Sequence, residues 1–286
     1  VFLLNKLEEN ALTQAMVDDN AQIINEVSGS SRPIAPNRTK WLFLGFLLGV
    51  ALPAIWFLMK LFLDTRVQTR HDIKNAVSVP FLGEIPLDKD KKDDKKLIVV
   101  DGTGHMYPEA FRILRTNMAF MKKKDQQMQV ITFVSFNESA GKTFVSANLA
   151  VSFAHARKKV VVVGLDIRKP RLAGLFNLAN SEKGISNFFT RPADDYAYLE
   201  SIIQKSDISS NLDIIAAGPI PPNPAELLEK ENLVTAINYL KQKYDYVILD
   251  TAPVGLVSDT LTIGKVADAT LFVVRANYTL KGDMDL

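Results

Sequence analysis

Apolar runs of two lengths divide the chain. One is long: "WLFLGFLLGVALPAIWFLM", residues 41–59, nineteen positions without a charge. The others are short, recur at 97–100, 130–135, 160–164, 212–216, 246–250 and 270–274, and have helical patterns between most of them. Short, wholly apolar strands separated by helices predict a parallel sheet covered on both faces. The expected fold is therefore α/β, a sheet like that of the P-loop NTPases, preceded by a transmembrane helix.

The long run predicts a membrane span over 41–63. Nineteen residues make a helix of roughly 28 Å, close to the hydrocarbon thickness. Lys60 is followed by Leu61-Phe62-Leu63, so the span extends with the lysine snorkelling to the interface. Trp41 and Trp56 stand at or near its ends as interfacial anchors, and Pro53 is tolerated in a membrane helix. A core helix seldom runs this far uncharged, and a signal peptide would not follow forty polar-rich residues. Basic residues barely orient it: Arg32, Arg38 and Lys40 precede it, while Lys60, Arg66, Arg70 and Lys74 follow.

Residues 1–40 read as the end of a helical region, with a helix over 3–24 and a Ser/Gly/Pro linker, "SGSSRPIAPN". Residues 64–96 read as a juxtamembrane linker ending in the charge run "DKDKKDDKK", a solvated flexible segment. Residues 97–286 hold the α/β domain. Net charge of +2 gives no sign of nucleic-acid binding. With no cysteine, disulfides and thiolate metal sites are excluded, and His71, His105 and His155 show no metal spacing. The chain, from Val1 to Leu286, reads as a fragment of a longer protein.

Ligands of parallel sheets sit at the carboxyl ends of the strands. After the strand at 130 comes "SFNESAGKT". A loop of inward-pointing N–H groups that ends at a helix N-terminus suits phosphate. Ser139, Ala140, Gly141, Lys142, Thr143 and Phe144 are the expected ATP-binding residues. Lys142 would reach the β- and γ-phosphates, and the Thr143 hydroxyl would hold Mg²⁺. The early glycine of such loops is missing, because Phe136 stands there. After the strand at 160 comes "GLDIRKPRL", with Asp166 two residues past the strand. A carboxylate there can take a proton from an attacking hydroxyl or serve Mg²⁺. Taken alone, it reads first as a helix cap before a solvated basic turn. Asp250 closes the apolar run at 246–250, where phosphate-loop ATPases keep a Mg²⁺-binding aspartate. The three together predict a Mg-ATP site with Lys142, Asp166 and Asp250 catalytic and Thr143, Asp166 and Asp250 around the metal. ATP places that side of the span in the cytoplasm.

These stretches resemble the bacterial tyrosine autokinases of capsule and exopolysaccharide biosynthesis. "EAFRILRTN" matches the Glu-x-x-Arg-x-x-Arg helix of that family through Glu109, Arg112 and Arg115. "GKTFVSANLA", "GLDIRKPRL" and "YDYVILDTAP" match its three Walker motifs, and "GPIPPNPAELL" resembles its proline-rich loop. "RPIAP" and "VPFLGEIP", on either side of the span, resemble the polysaccharide chain-length regulators fused to such kinases. The resemblance implies a tyrosine kinase that phosphorylates neighbouring subunits of a homo-oligomeric ring at the inner membrane, with the N-terminal part periplasmic. It also implies a polysaccharide polymerase and export machinery and a protein tyrosine phosphatase as partners. Glu109, Arg112 and Arg115 would lie at the subunit contact. Without the resemblance they read as intrahelical pairs on a wet surface. In "PPNPAELL", Asn223, Pro224 and Glu226 also predict a helix start with a capping box.

Two departures stand out. The family motif has aspartates one residue apart, and Gly164 replaces the first. The family's substrate is a C-terminal tyrosine cluster, whereas the seven tyrosines here are scattered and Tyr246 reads as core. Two other readings stay open. A partitioning- or division-type ATPase carries a signature lysine where Asn137 stands. A chain-length regulator whose nucleotide domain only organises the ring would tolerate Gly164.

Overall fold

The computed structural model describes residues 1–15, 35–87, 106–121, 128–178, 181–255 and 259–284. The expected strand at 97–100, the charge run at 88–96 and most of the linker at 28–37 lie outside them. The chain divides into two compact units, Val1–Asp64 and Thr65–Leu286.

The first unit holds α1 (Phe2–Ala15) and α2 (Arg38–Leu63). The side chain of Asn37 caps α2 by accepting from the Lys40 N–H. The cap starts the helix three residues before the first apolar position. None of its 26 residues is buried, and its best stretch has a mean hydropathy of 2.3. Among the described residues, it is the one helix long and apolar enough to cross a membrane.

The second unit begins with α3 (Arg70–Ala76) and α4 (Met106–Met121). Then β1 (Val130–Val134), α5 (Lys142–His155), β2 (Val160–Gly164), α6 (Leu172–Leu175), α7 (Ile185–Phe188) and α8 (Tyr196–Ser201) follow. The rest is β3 (Ile203–Lys205), β4 (Leu212–Ile215), α9 (Pro224–Leu228), α10 (Glu231–Lys243), β5 (Tyr246–Asp250), α11 (Asp259–Gly264), β6 (Ala269–Phe272) and a 3₁₀ turn (Lys281–Met284).

The strands form one sheet in the order β3-β4-β2-β5-β1-β6, parallel except for β3 against β4. Alternation within the apolar strands feeds two cores. Val161, Val163, Val247 and Leu249 pack under α7 to α10, while Val160, Val162, Ile131, Phe133 and Ile248 pack under α4 and α5. That is why the strands read as unbroken apolar runs rather than alternating ones. Tyr246 stacks on Phe153 with ring centroids 4.1 Å apart but is only half-buried, so it borders the core that its strand position predicts for it.

Two local readings change. β3 has no apolar signal because it is a three-residue edge strand, mostly polar. At α9, Pro224 does take the first turn, but the capping box does not form. The Asn223 amide donates to Glu226 Oε2 at 2.6 Å instead of the backbone, so the pair closes on itself.

Gly184 marks the tightest approach, where α7 starts against the end of β4. A Cβ there would sit 2.3 Å from both the Ala216 oxygen and the Gly218 nitrogen. Gly184→Ala is expected to cost about 3 kcal/mol. Urea unfolding would show this as a lower midpoint with an unchanged slope.

Candidate functional site

The strand order creates the site. β5 lies between β1 and β2, so the loops that follow these three strands share one edge of the sheet. Neighbouring strands are about 4.8 Å apart, which sets the spacing of the side chains they deliver. The backbone oxygen of Asp250 accepts from both Leu165 (2.7 Å) and Asp166 (2.9 Å), locking the β2 and β5 ends together.

After β1, residues 135–141 turn back to start α5. Gly141 is its N-cap at φ 101, a left-handed conformation that disfavours any side chain, and a Cβ there would meet nothing within 4 Å. The space beside it is open for an anion. Ser139 is also left-handed, at φ 57, and exposed. Phe136 keeps an ordinary φ, which is how the loop does without its early glycine. Its carbonyl accepts from the Gly255 N–H at 3.1 Å, so the segment after β5 supports the loop.

Lys142 is only 7% exposed, a buried cation in the first turn of α5. Its counter-charges come from the other two strands. Asp250 is 1% exposed, and its Oδ1 has no hydrogen-bond partner. Burial pushes its carboxyl up to about 6, against the pull of Lys142 and of the Thr143 and Ser146 hydroxyls, while Asp166 pushes it further up. Asp166 is also raised by burial, and it accepts the Lys169 N–H at 3.0 Å within a turn; it caps no helix, because α6 starts later, after Arg171. The site thus joins Lys142, Thr143, Asp166 and Asp250. An orphaned, fully buried carboxylate oxygen beside a second carboxylate and a hydroxyl is a donor set that fits Mg²⁺, which takes one or two carboxylates along with substrate phosphates. Among the described residues, no cluster of three or more metal-ligating His, Cys, Asp or Glu side chains occurs, so phosphate oxygens would complete the shell.

The Phe144 ring lies edge-on to Phe111 of α4, with centroids 6.2 Å apart. Glu109 and Arg112 pair at 2.6 Å on the exposed face of α4. Arg115 leaves that ladder and donates to the carbonyl and hydroxyl of Ser152 on α5. Sequence reasoning missed Ser146, the exposed Glu138–Lys169 ion pair (2.6 Å), and two contacts on the loop from Arg275 and Asp283.

Gly164 sits opposite Asp250 in the sheet. A Cβ there would be 3.1 Å from the Ala217 nitrogen and 3.4 Å from Leu172 Cδ2, so the glycine is packed close as well as uncharged. Gly164→Asp is expected to lower apo stability by roughly 2 kcal/mol, through crowding and a second buried carboxylate. Mg-ATP should then raise the melting temperature of the variant more than that of the wild type.

Comparison with known proteins places this geometry. An AAA domain family model matches residues 128–286. The tyrosine-protein kinase etk of Escherichia coli strain K12 is 28% identical over 304 residues, covering 99% of this chain and 41% of the relative. The chain thus spans about 40% of the length of the curated relatives it matches. The solved kinase domain of the Escherichia coli tyrosine kinase ETK aligns with a TM-score of 0.68 at 26% identity, over 76% of this chain and 85% of that one. The chimerical protein CapA2B2 aligns with a TM-score of 0.66 at 31% identity, over 76% and 90%.

Proposed function

The chain belongs to the AAA domain family through residues 128–286 and is similar to bacterial tyrosine kinases along nearly its whole length, and on that basis we propose that it is a membrane-anchored tyrosine autokinase. It would transfer the ATP γ-phosphoryl group to tyrosines of neighbouring subunits and regulate capsule or exopolysaccharide polymerisation and export. The observation that carries this is the buried Lys142 facing Asp166 and Asp250 from two adjacent strands, with one Asp250 oxygen unpartnered.

In this reading the N–H groups of Ser139 to Phe144 and the Lys142 ammonium bind the phosphates. Thr143, Asp250 and Asp166 would hold Mg²⁺, and the ion would supply positive charge against the phosphates. The bond from the γ-phosphorus to the β–γ bridging oxygen breaks, and a bond to the tyrosine Oη forms. The phenolic proton passes to the Asp166 carboxylate, which is only partly buried and so within reach of an incoming hydroxyl, whereas Asp250 is enclosed. ADP leaves.

Crossing by α2 would put the α/β unit in the cytoplasm and the N-terminal part in the periplasm, at the inner membrane. The exposed Glu109–Arg112 pair would meet the next subunit of a ring, while Arg115 fixes the helix to its own domain. The polymerase and export machinery and a protein tyrosine phosphatase would be its partners.

A non-catalytic scaffold reading is favoured by Gly164, which removes one metal-shell carboxylate. A partitioning-type ATPase is disfavoured because Asn137, in the place of the signature lysine, is tied to Asp283 at 3.0 Å. The deciding experiment gives the detergent-solubilised chain Mg-ATP and a tyrosine-rich acceptor peptide, with phosphotyrosine as the readout. ATP binding without phosphotyrosine at high enzyme concentration would leave the scaffold reading.

A further inference from the structure

The phosphate loop is gripped from outside by residues that no motif marks. Both contacts come from the segment after β6. Arg275 Nη1 donates to the Ser139 carbonyl at 2.9 Å, and Asp283 Oδ2 accepts from the Asn137 side-chain amide at 3.0 Å. They hold the loop on either side of Glu138. Ser139 is the loop residue in a left-handed conformation without being glycine, which persists only where surrounding contacts hold it.

The anchors are themselves fixed. Asp283 is 9% exposed and accepts a second bond from the Leu280 N–H at 3.2 Å. The Arg275 N–H donates to Thr279 Oγ1 at 3.1 Å, and the Thr279 N–H returns to the Arg275 carbonyl at 3.0 Å. Thr279 is buried, and the Arg275 guanidinium lies over the Tyr278 ring, 5.6 Å from its centre. A turn ordered this way can hold a strained loop in shape before any ligand arrives, which removes an ordering cost from binding.

We propose that Arg275 and Asp283 are positioning residues of the phosphate loop. They hold residues 137–139 so that the N–H groups at the start of α5 are already aimed at the phosphates. They act through their bonds to Ser139 and Asn137, and the inference rests on the ATP reading above. An acidic side chain this close to an anion site is consistent with the role, because its Oδ2 is turned to Asn137 and Leu280.

The test uses the whole chain in detergent with a fluorescent ATP analogue and Mg²⁺. Arg275→Met and Asp283→Ala should each weaken binding roughly tenfold, the size expected for losing a charge-assisted hydrogen bond. Asp283→Asn keeps an acceptor oxygen for Asn137 and should stay within about twofold of wild type. Without nucleotide, amide exchange at residues 137–143 should quicken in the first two variants and not in the third. A purely structural role would lower the melting temperature and leave affinity and local exchange unchanged, and that outcome overturns the proposal. So would Asp283→Asn losing as much affinity as Asp283→Ala. If the wild type binds no nucleotide, the ATP reading fails by itself, and the exchange measurement alone decides whether the tethers exist.

Discussion

Lys142→Met is expected to lower Mg-ATP affinity and phosphotyrosine formation by on the order of a hundredfold each, while leaving the chain folded. Lys142 is the cation whose charge acts on both site carboxylates, and it is nearly buried. Its attraction lowers the pKa of both, against burial. Methionine keeps the length and apolar stem but removes the charge that phosphate oxygens would meet. The same change leaves Asp250 without that cation. A buried carboxylate in that position protonates instead of staying charged, so the fold survives. Two measurements check this: titration with a fluorescent nucleotide, and phosphotyrosine detection with the acceptor peptide. Full transfer activity in the variant would sink the assignment of the loop. Unfolding of the variant would instead show that the ammonium is chiefly structural.

The site was legible where it is local and obscure where it is not. Gly141-Lys142-Thr143 before a helix, and aspartates at two strand ends, are patterns within a few residues, and the fold brings them together as expected. The apolar runs at 130, 160 and 246 appear as β1, β2 and β5 because strands buried on both faces need no polar alternation. What the pattern could not give is that β5 inserts between β1 and β2, since strand order depends on contacts far apart in sequence. The same holds for Arg275 on Ser139 and Asp283 on Asn137, which are 136 and 146 residues apart along the chain. Arg115 shows the opposite limit. Its spacing from Arg112 implies an exposed ladder, but Ser152 of α5 stands within reach and takes the guanidinium. The pattern also could not give the place of the Phe144 ring, which packs edge-on to Phe111 of α4.

Asp250→Asn should make the nucleotide-free protein more stable while sharply weakening phosphotyrosine formation. Asp250 is fully buried, and one of its oxygens has no partner. Burial lifts its pKa from 3.8 to about 6. Ionising it in the folded state therefore costs roughly 3 kcal/mol more than in the unfolded chain. With the folded value above the unfolded one, the native state takes up the proton first as pH falls. The penalty is fully present above about pH 6, shrinks between roughly 6 and 4, and is gone below. Asparagine carries no such charge and still offers an oxygen to the Thr143 and Ser146 hydroxyls. The melting temperature of Asp250→Asn should thus exceed that of the wild type at pH 8, and the gap should close near pH 4. Asp166 is raised in the same direction in both proteins, so only the difference between variant and wild type isolates Asp250. Mg-ATP should reverse the order, because the negative oxygen that strains the apo protein is the one offered to the metal. Wild type should gain stability on adding Mg-ATP, the variant should gain little, and phosphotyrosine formation should fall by on the order of a hundredfold. A variant no more stable than wild type at pH 8 would mean that water or Lys142 already compensates the buried charge. A variant with normal transfer would place the metal elsewhere.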